Sequence, residues 1–421
     1  MSFPGFGGGG IGGLCLAVAL SKYPDIQVDL YEAAERFKEI GAGVMIWERT
    51  WKILSLLGMA SDFSRIAHAP PDGSLGVGFD YRKSDQPMEG FRFYLFQLPY
   101  GCICFHRAHF LDVLVEHLPD GVANFGKRLI SYSRNGPHNS VVLQFADGAT
   151  AACDILVGCD GIKSTVRKQL LEEKARDGHP ELLGLIDPMV GKPNDSDTYD
   201  GALFTYKSMC YHSDGLSSIV ARTSYSISRG SVVNVVALVS QPEKRGHPFT
   251  DPWVVECTTS EVLDCYAGWE PEVEELLKHM KNPMRWAIHE LRPLPLYVAN
   301  NIALLGDAAH AMAPHQGAGA GQAIEDAFVL AHLLGDPTTS RSDIPVALLA
   351  YQYIRLPLAS HVQKESYMSG MMYEFSVELA VEDNARRRIG EGERLYASNL
   401  FCAKTMQIVK LVANNSIIHF N

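Results

Sequence analysis

The sequence has few charged residues and no excess of basic ones. Asp, Glu, Lys and Arg make up 20% of the 421 residues, and 37 basic against 48 acidic residues give a formal net charge of −11. Nucleic acids and anionic membrane surfaces bind clustered Lys and Arg, so this balance argues against either as a partner. With 47% hydrophobic residues the chain is too apolar for global disorder, and its length suits two or three domains.

The chain also lacks paired cysteines and long apolar runs. Its nine cysteines form no CxxC pair, and the closest spacing, Cys102 to Cys104, is typical of neither a zinc site nor a small disulfide scaffold. No apolar run reaches the ~18 residues of a membrane helix. The apolar stretch 11–20 has no preceding Lys or Arg, which argues against a signal peptide. We therefore expect a soluble, cytoplasmic protein with reduced thiols and no metal site.

Periodicity predicts helices and strands in alternation at the start of the chain. The stretch 12–22 is predicted to be a helix, and residues 26–32 alternate with the period of a strand. Residues 107–118 place apolar side chains on one helical face. Residues 141–160 are predicted to form two strands joined near Asp147-Gly148, the second over 155–159.

The middle and the end of the chain differ from this. Residues 200–240 are rich in Val, Ile, Tyr and Thr and predict a β-rich domain inserted into the first one. A strand after Asn301 and a helix over 319–334 indicate that the first domain resumes, and 345–377 is predicted to be helical, with Pro357 kinking or ending one segment. The predicted fold class is α/β: a Rossmann-like nucleotide domain (1–180 and 296–345), a β-rich insert (181–295) and a helical C-terminus (346–421).

Glycines are concentrated near the N-terminus, where seven of the 37 lie between Gly5 and Gly13. Three registers satisfy the dinucleotide-binding pattern GxGxxG, and we choose Gly8, Gly10 and Gly13. This register keeps apolar residues inside the helix and places Glu32 about two dozen residues downstream, where a carboxylate holds a ribose hydroxyl. The strand that should precede the motif is poor, because Pro4 and Gly5 suit the centre of a parallel sheet badly.

Two further motifs follow in order, each after an apolar strand. The first is CDGIKSTVR with Asp160, and the second is GDAAHAMAPHQGAGAGQAIEDA, which begins at Gly306-Asp307. With these three motifs the chain resembles the class A flavoprotein monooxygenases, the single-component FAD-dependent aromatic hydroxylases. The stretch 306–327 is most similar to salicylate hydroxylases and their fungal relatives.

The resemblance implies FAD as cofactor and NADH or NADPH as a transient co-substrate. It implies that Asp307 contacts the ribityl and pyrophosphate region, that Arg107 reaches the FAD phosphates, and that Asp160 serves flavin and nicotinamide binding. Gly317, Gly319 and Ala320 belong to the segment that approaches the isoalloxazine ring. Arg167 and His310 are interpreted as structural.

The resemblance also implies the reaction and the substrate side of the site. NAD(P)H reduces FAD, O2 adds to give a C4a-hydroperoxyflavin, and an electron-rich ring is hydroxylated. We expect His315 to act as general base or hydrogen-bond partner. Tyr225 and Arg222 are predicted to contact the substrate, and Tyr225 is preferred as a catalytic residue.

The substrate is expected to be a small phenolic acid of the salicylate or hydroxybenzoate type, with or without decarboxylation. Two alternatives remain: hydroxylation of a bulkier phenol or polyketide with loss of aromaticity, and a flavin-binding reductase that hydroxylates nothing. The expected assembly is a monomer or a homodimer.

Overall fold

The computed structural model describes residues 5–37, 43–69, 71–134, 140–189, 202–211, 224–227, 229, 231–240 and 252–373. Within these ranges the strands are β1 (Gly5–Gly7), β2 (Asp29–Tyr31), β3 (Gly43–Ile46), β4 (Leu75–Lys83), β5 (Phe91–Pro99), β6 (Ile103–His106), β7 (Ala123–Asn124), β8 (Leu129–Ser133), β9 (Val141–Phe145), β10 (Thr150–Cys153), β11 (Leu156–Gly158), β12 (Ala202–Tyr211), β13 (Ser224–Ile227), β14 (Val232–Ser240), β15 (Val254–Glu256), β16 (Met284–Ala287), β17 (Val298–Ala299) and β18 (Ile302–Leu304). The α-helices are α1 (Ile11–Leu20), α2 (Glu48–Leu56), α3 (Ala60–Ile66), α4 (Arg107–Glu116), α5 (Thr165–Arg176), α6 (Thr259–Cys265), α7 (Pro271–Lys278), α8 (Asp307–His310), α9 (Gly319–Leu334) and α10 (Ile344–Tyr373).

A six-stranded sheet carries the three sequence motifs. Its order is β17-β18-β11-β1-β2-β7, and all neighbours are parallel except β17 and β18. The carboxyl ends of β1, β11 and β18 therefore lie side by side, and each is followed by one of the motifs. Ligands of open α/β sheets bind at this edge.

The first strand forms despite its poor sequence. β1 spans only Gly5–Gly7 and pairs with β11 on one side and β2 on the other. The Gly8 amide extends this pairing by donating to the Tyr31 carbonyl at 2.9 Å. Helix α1 follows directly, and all ten of its residues are buried. Hydrogen bonding to a strand on each side thus stabilises β1, whose own residues have low β-propensity.

The predicted hairpin after residue 141 is confirmed in part. β9 and β10 pair antiparallel around a turn that contains Asp147-Gly148. The expectation of two strands over 141–160 was wrong, because β10 ends at Cys153 and a third strand, β11, enters the six-stranded sheet. The two residues between β10 and β11, Asp154 and Ile155, are both buried, so the break between the two strands is not marked by exposure to solvent.

A five-stranded antiparallel sheet, ordered β13-β14-β12-β16-β15, forms the β-rich part of the chain. Its strand β14 shows the period of two that separates the faces of a sheet. Val233, Val235 and Ala237 pack in one hydrophobic cluster with α6 and α7. The alternate residues Asn234, Val236 and Leu238 face a large cavity on the other side. One face of the insert is thus core, and the other is available for a ligand.

The last described helix contains a proline in its interior. α10 runs through Pro357 to Tyr373, so of the two predicted outcomes, a kink or an end of the segment, the end is wrong and the kink stays a prediction. Buried side chains on both sides of the proline, Ile354 and Ala359 among them, hold the helix to the core. Tertiary packing therefore outweighs the cost of proline in a helix. Among the described residues, no helix has both the length and the apolar content that a membrane crossing needs.

Candidate functional site

A cavity of about 770 Å³ opens at the carboxyl edge of the six-stranded sheet. Its walls come from segments that are far apart in the chain: the start of α1, strands β3 and β4, the start of α4, the inner face of β13 and β14, and the segment 305–323. Eight of the predicted site residues line it: Gly10, Arg107, Tyr225, Asp307, His315, Gly317, Gly319 and Ala320. The volume lies within the range of small-molecule and cofactor sites.

The glycine turn before α1 has the geometry of the chosen register. Gly8 has φ +113°, where a side chain is strained, and a Cβ there would collide with the Cys159 carbonyl. A Cβ on Gly13 would collide with the Gly8 carbonyl, whereas one on Gly10 would meet nothing within 4 Å. Gly8 therefore makes the turn, Gly13 lets the helix approach the strand, and Gly10 leaves room on the cavity side.

The start of α1 is open to a negatively charged ligand. Gly10 occupies the N-cap position and provides no side-chain cap, and Gly10, Ile11 and Gly12 all line the cavity. Amides at an uncapped helix N-terminus, together with the helix dipole, bind phosphate groups.

Two predicted carboxylates lie beside this turn and outside the cavity lining. Glu32 accepts hydrogen bonds from the Gly9 amide at 2.7 Å and the Ala34 amide at 2.8 Å. Asp160 accepts from the Ser164 hydroxyl and from the Thr165 amide at 2.7 Å, so it caps helix α5. Its cofactor role and that of Glu32 stay predictions.

A second helix N-terminus faces the same cavity. α9 begins at Gly319 without a side-chain cap, and a Cβ on Gly319 would meet nothing within 4 Å. Gly317 has φ +59°, and a Cβ there would collide with the Met45 side chain. Asp307, at the start of α8, is exposed at the cavity wall. Backbone amides and one carboxylate thus line this side, and few bulky side chains intrude.

His315 lies between the cavity and the last described helix. It is only 8% exposed, and its ring packs against the backbone of Gly370. Burial lowers the pKa of His315 to about 4. The imidazole is therefore neutral at pH 7, a form in which one ring nitrogen is a donor and the other an acceptor.

Tyr225 sits on β13 opposite Asn234 of β14 and lines the cavity. Its ring occupies the space beside Gly43, where a Cβ would collide with it. The Gly43 amide donates to Asn234 Oδ1 at 2.9 Å, which ties β3 to the five-stranded sheet. Burial, together with the nearby thiols, raises the pKa of Tyr225 well above its usual value, so the phenol stays protonated.

The two predicted arginines have different outcomes. Arg107 begins helix α4 and lines the cavity. Arg222 lies outside the described residues, so its proposed substrate contact stays a prediction. Arg167, interpreted as structural, is buried and donates to the carbonyls of Ile162 and Ala308. It therefore holds the Asp160 loop against α8.

Sequence reasoning missed several cavity residues from the stretch 68–104. His68, Phe79, Tyr81, Cys102 and Cys104 all line the cavity. His68 Nδ1 accepts from the Cys104 amide at 3.1 Å, so the neutral ring carries its proton on Nε2. Burial is the main cause of its lowered pKa. The alternation of the β4–β5 hairpin indicates a sheet, but no local signal shows what that sheet faces.

Comparisons with known proteins agree with this site. The family model of the FAD binding domain matches residues 7–366. A salicylate hydroxylase from Pseudomonas putida is 35% identical over 412 residues, which are 94% of this chain and 89% of that protein. A 6-methylsalicylate 1-monooxygenase from Aspergillus terreus is 36% identical over 356 residues, 83% of this chain and 78% of that one. A solved salicylate hydroxylase–substrate complex superposes with a TM-score of 0.78 at 29% identity, covering 97% of this chain and 98% of the other.

The chain therefore belongs to the FAD-binding family of flavoprotein monooxygenases. The predicted fold class, the FAD cofactor with NAD(P)H as electron donor, and the oxidoreductase activity are confirmed by this membership. A structure of Klebsiella pneumoniae HpxO with FAD and uric acid, 21% identical with a TM-score of 0.68, shares the fold.

Proposed function

We propose that the protein hydroxylates a small phenolic acid of the salicylate or hydroxybenzoate type, using NAD(P)H and O2. The observation that carries this proposal is one cavity with two unlike sides. Two uncapped helix N-termini and open glycines form one side, and an apolar sheet face with a few polar groups forms the other. The names of the relatives, salicylate hydroxylase and 6-methylsalicylate monooxygenase, support the substrate class.

The residues on the first side fit FAD. The amides at the start of α1 suit the pyrophosphate, and Gly10 leaves the space that a phosphate needs. The Asp307 carboxylate at the cavity wall suits a ribityl hydroxyl, and the Arg107 guanidinium suits the phosphates. The open start of α9, at Gly319 and Ala320, suits the flat ring. When bound, FAD supplies the electron transfer and the activation of O2.

The residues on the other side orient the substrate and exclude water. Val236, Leu238 and Phe79 give this wall its apolar character. The protonated Tyr225 hydroxyl serves as a hydrogen-bond donor to a phenol or carboxylate oxygen. His315, with its pKa lowered to about 4, is a weak proton acceptor at neutral pH. A general base works best with a pKa near the operating pH, so of its two predicted roles we favour the hydrogen-bond partner.

A substrate screen tests the proposal. Purified FAD-loaded protein is supplied with NADH or NADPH and with salicylate, hydroxybenzoates and bulkier phenols, while NAD(P)H oxidation, oxygen uptake and product mass are followed. We expect a small phenolic acid to accelerate NAD(P)H oxidation with an equal amount of oxygenated product. The product mass shows whether carbon dioxide is lost.

The same screen separates the alternatives. Turnover with bulky phenols only would favour the polyketide-type hydroxylase. NAD(P)H oxidation that yields peroxide and no oxygenated product with every phenol would leave a flavin reductase and contradict the proposal. The assay without any aromatic compound is the control, because it gives the background rate of NAD(P)H oxidation.

Assembly and location complete the proposal. We propose a monomer or homodimer in the cytoplasm. The location is supported by the seven cysteines that the structure describes, none of which forms a disulfide. Light scattering after size-exclusion chromatography measures the assembly, and a mass above that of two chains would contradict it.

A further inference from the structure

A buried carboxylate stands behind the loop that presents Asp307. Asp326, in helix α9, is fully buried and receives three hydrogen bonds. The Gly306 amide donates to its Oδ2 at 3.0 Å, and His310 Nε2 lies 2.6 Å from the same oxygen. Arg355 of helix α10 donates from Nε to Oδ1 at 2.6 Å. Gly306 and His310, which make the first two of these contacts, lie on either side of Asp307 in the sequence.

Arg167 holds the middle of this loop through the Ala308 carbonyl, and the two ends of the loop need support of their own. Gly306 has φ +64° and ψ −139°, a conformation that only glycine adopts readily. Helix α8 has four residues, and a helix this short does not hold its shape alone. Asp326 binds the residue before α8 and the last residue of α8, so one side chain fixes both ends of the turn.

The charge on Asp326 is maintained by its neighbours. Burial opposes ionisation, but His310 and Arg355 outweigh it and hold the pKa of Asp326 below its usual value. The adjacent Glu325 pairs with Arg49 at 2.5 Å and with Arg355 at 3.0 Å. The negative charges of two carboxylates are thus balanced by the positive charges of two guanidinium groups in the buried layer between α2, α9 and α10.

We propose that Asp326 is a positioning residue that holds the Gly306–His310 turn so that the Asp307 carboxylate meets FAD, with Arg355 transmitting the packing of helix α10 to this turn. This inference rests on the proposed contact between Asp307 and FAD. It extends the cofactor site to Arg355 of the last described helix, a residue that does not line the cavity.

The network contains its own control. Glu325 is the neighbour of Asp326, is equally buried in the same charge network and shares Arg355 with it. The described contacts of Glu325 do not include Gly306 or His310. Asp326→Asn and Glu325→Gln therefore remove the same charge from the same layer, and only the first disturbs the turn.

The test is FAD binding to flavin-stripped protein, measured by quenching of flavin fluorescence, with unfolding in urea followed in parallel. We expect both variants to lose stability, and only Asp326→Asn to raise the Kd for FAD, by about tenfold or more. On an Asp307→Ala background, Asp326→Asn should add less than about a twofold further loss, because the two residues act through one contact. The visible spectrum of bound flavin should shift in Asp326→Asn and not in Glu325→Gln.

The outcomes separate this inference from the proposed function. Equal Kd values for the two single variants, or multiplicative losses in the double variant, would overturn the positioning role. An unchanged Kd in Asp307→Ala would instead remove the contact on which the inference rests. If Asp326→Asn does not fold, His310→Ala removes one of the two contacts to the turn, and the same comparison with Glu325→Gln applies.

Discussion

The two sides of the cavity are built in different ways. The cofactor side consists mainly of backbone, with the side chains of Asp307 and Arg107: the turn at Gly8 and Gly10, the start of α1, and the start of α9 at Gly319. The substrate side consists of side chains from separate segments, such as His68, Tyr225 and Asn234. A backbone cradle for phosphate needs small residues at fixed spacing, whereas an apolar pocket requires only that the right surfaces meet. This difference explains why one side is visible as motifs and the other is not.

A few contacts join the two sides. The Gly43 amide donates to Asn234 across 191 positions of the chain, and the Tyr225 ring covers Gly43. Trp47, which lies between β3 and α2, donates from Nε1 to the Gln316 carbonyl at 3.1 Å. Because these contacts are few, we expect the two sides to respond separately. Substitutions on the cofactor side should affect FAD affinity, and those on the substrate side should affect turnover with FAD still bound.

The largest effect is expected on the cofactor side, from alanine at two glycines of one motif. Gly10→Ala should leave the free energy of unfolding of flavin-free protein within about 0.5 kcal/mol, because its Cβ meets open space. It should raise the Kd for FAD on the order of 100-fold, since the new methyl group occupies the place of a phosphate. Fluorescence titration with FAD measures this effect.

Gly13→Ala is the matched variant. Its Cβ collides with the Gly8 carbonyl, so we expect a loss of about 1–3 kcal/mol in stability. Equal FAD affinity in Gly10→Ala and wild type would show that the pyrophosphate lies elsewhere.

Asp307→Ala should act next most strongly on the same side. Removing a charged hydrogen-bond acceptor costs about 1.5–3 kcal/mol, or roughly ten- to a hundredfold in the Kd for FAD. The flavin content of the purified protein and titration of the flavin-free form check this expectation. Full flavin retention would contradict the role of Asp307.

His315, at the border of the two sides, should give the protein a pH-dependent stability. Its pKa is lowered from 6.5 to about 4, so the unfolded chain binds a proton in this window that the folded chain does not. Stability should therefore fall as the pH drops from 6.5 towards 4, and the loss at pH 5 should be about 2 kcal/mol.

Urea unfolding of flavin-free wild type and His315→Gln at pH 7 and pH 5 tests this expectation. The variant should lack this part of the pH dependence, and measurements at pH 7 and pH 8 serve as an internal control. If the free energy of unfolding falls equally in the two proteins between pH 7 and pH 5, His315 is more accessible to protons than its burial indicates.

The smallest effect is expected on the substrate side. Tyr225→Phe keeps the ring over Gly43 and removes one hydroxyl, which should cost about 1 kcal/mol, or roughly fivefold in kcat/KM. FAD affinity should not change. Tyr31→Phe, at a tyrosine outside the cavity lining, should match wild type in both measurements. A weakened FAD Kd in Tyr225→Phe would show that the two sides are not separable.

Much of the cofactor side could be predicted, because its signals are local. Helix α9 begins and ends where the sequence predicted, and α1 and α4 agree within two residues at each end. The choice of Gly8, Gly10 and Gly13 agrees with the backbone geometry of the turn. Strand ends were less accurate, since β2 covers only Asp29–Tyr31 of the predicted 26–32.

The substrate side could be predicted only in outline. Tyr225 was identified through resemblance, whereas His68, Cys102 and Cys104 gave no signal, since an apolar strand looks the same whether it faces core or ligand. The sequence shows two acidic residues, Glu325 and Asp326, within an apolar helix, which is a local signal for a buried charged pair. It does not show their partners Arg49 and Arg355, which lie far away in the chain.

The sequence by itself determined the order of the three motifs, the glycine turn and the class of cofactor, because helix starts and tight turns depend on neighbouring residues. Only the tertiary structure decided which face of β14 meets the ligand, that β1 forms despite its composition, and that α10 continues through Pro357. Each of these depends on partners more than 20 residues away, whose packing free energy outweighs local preference.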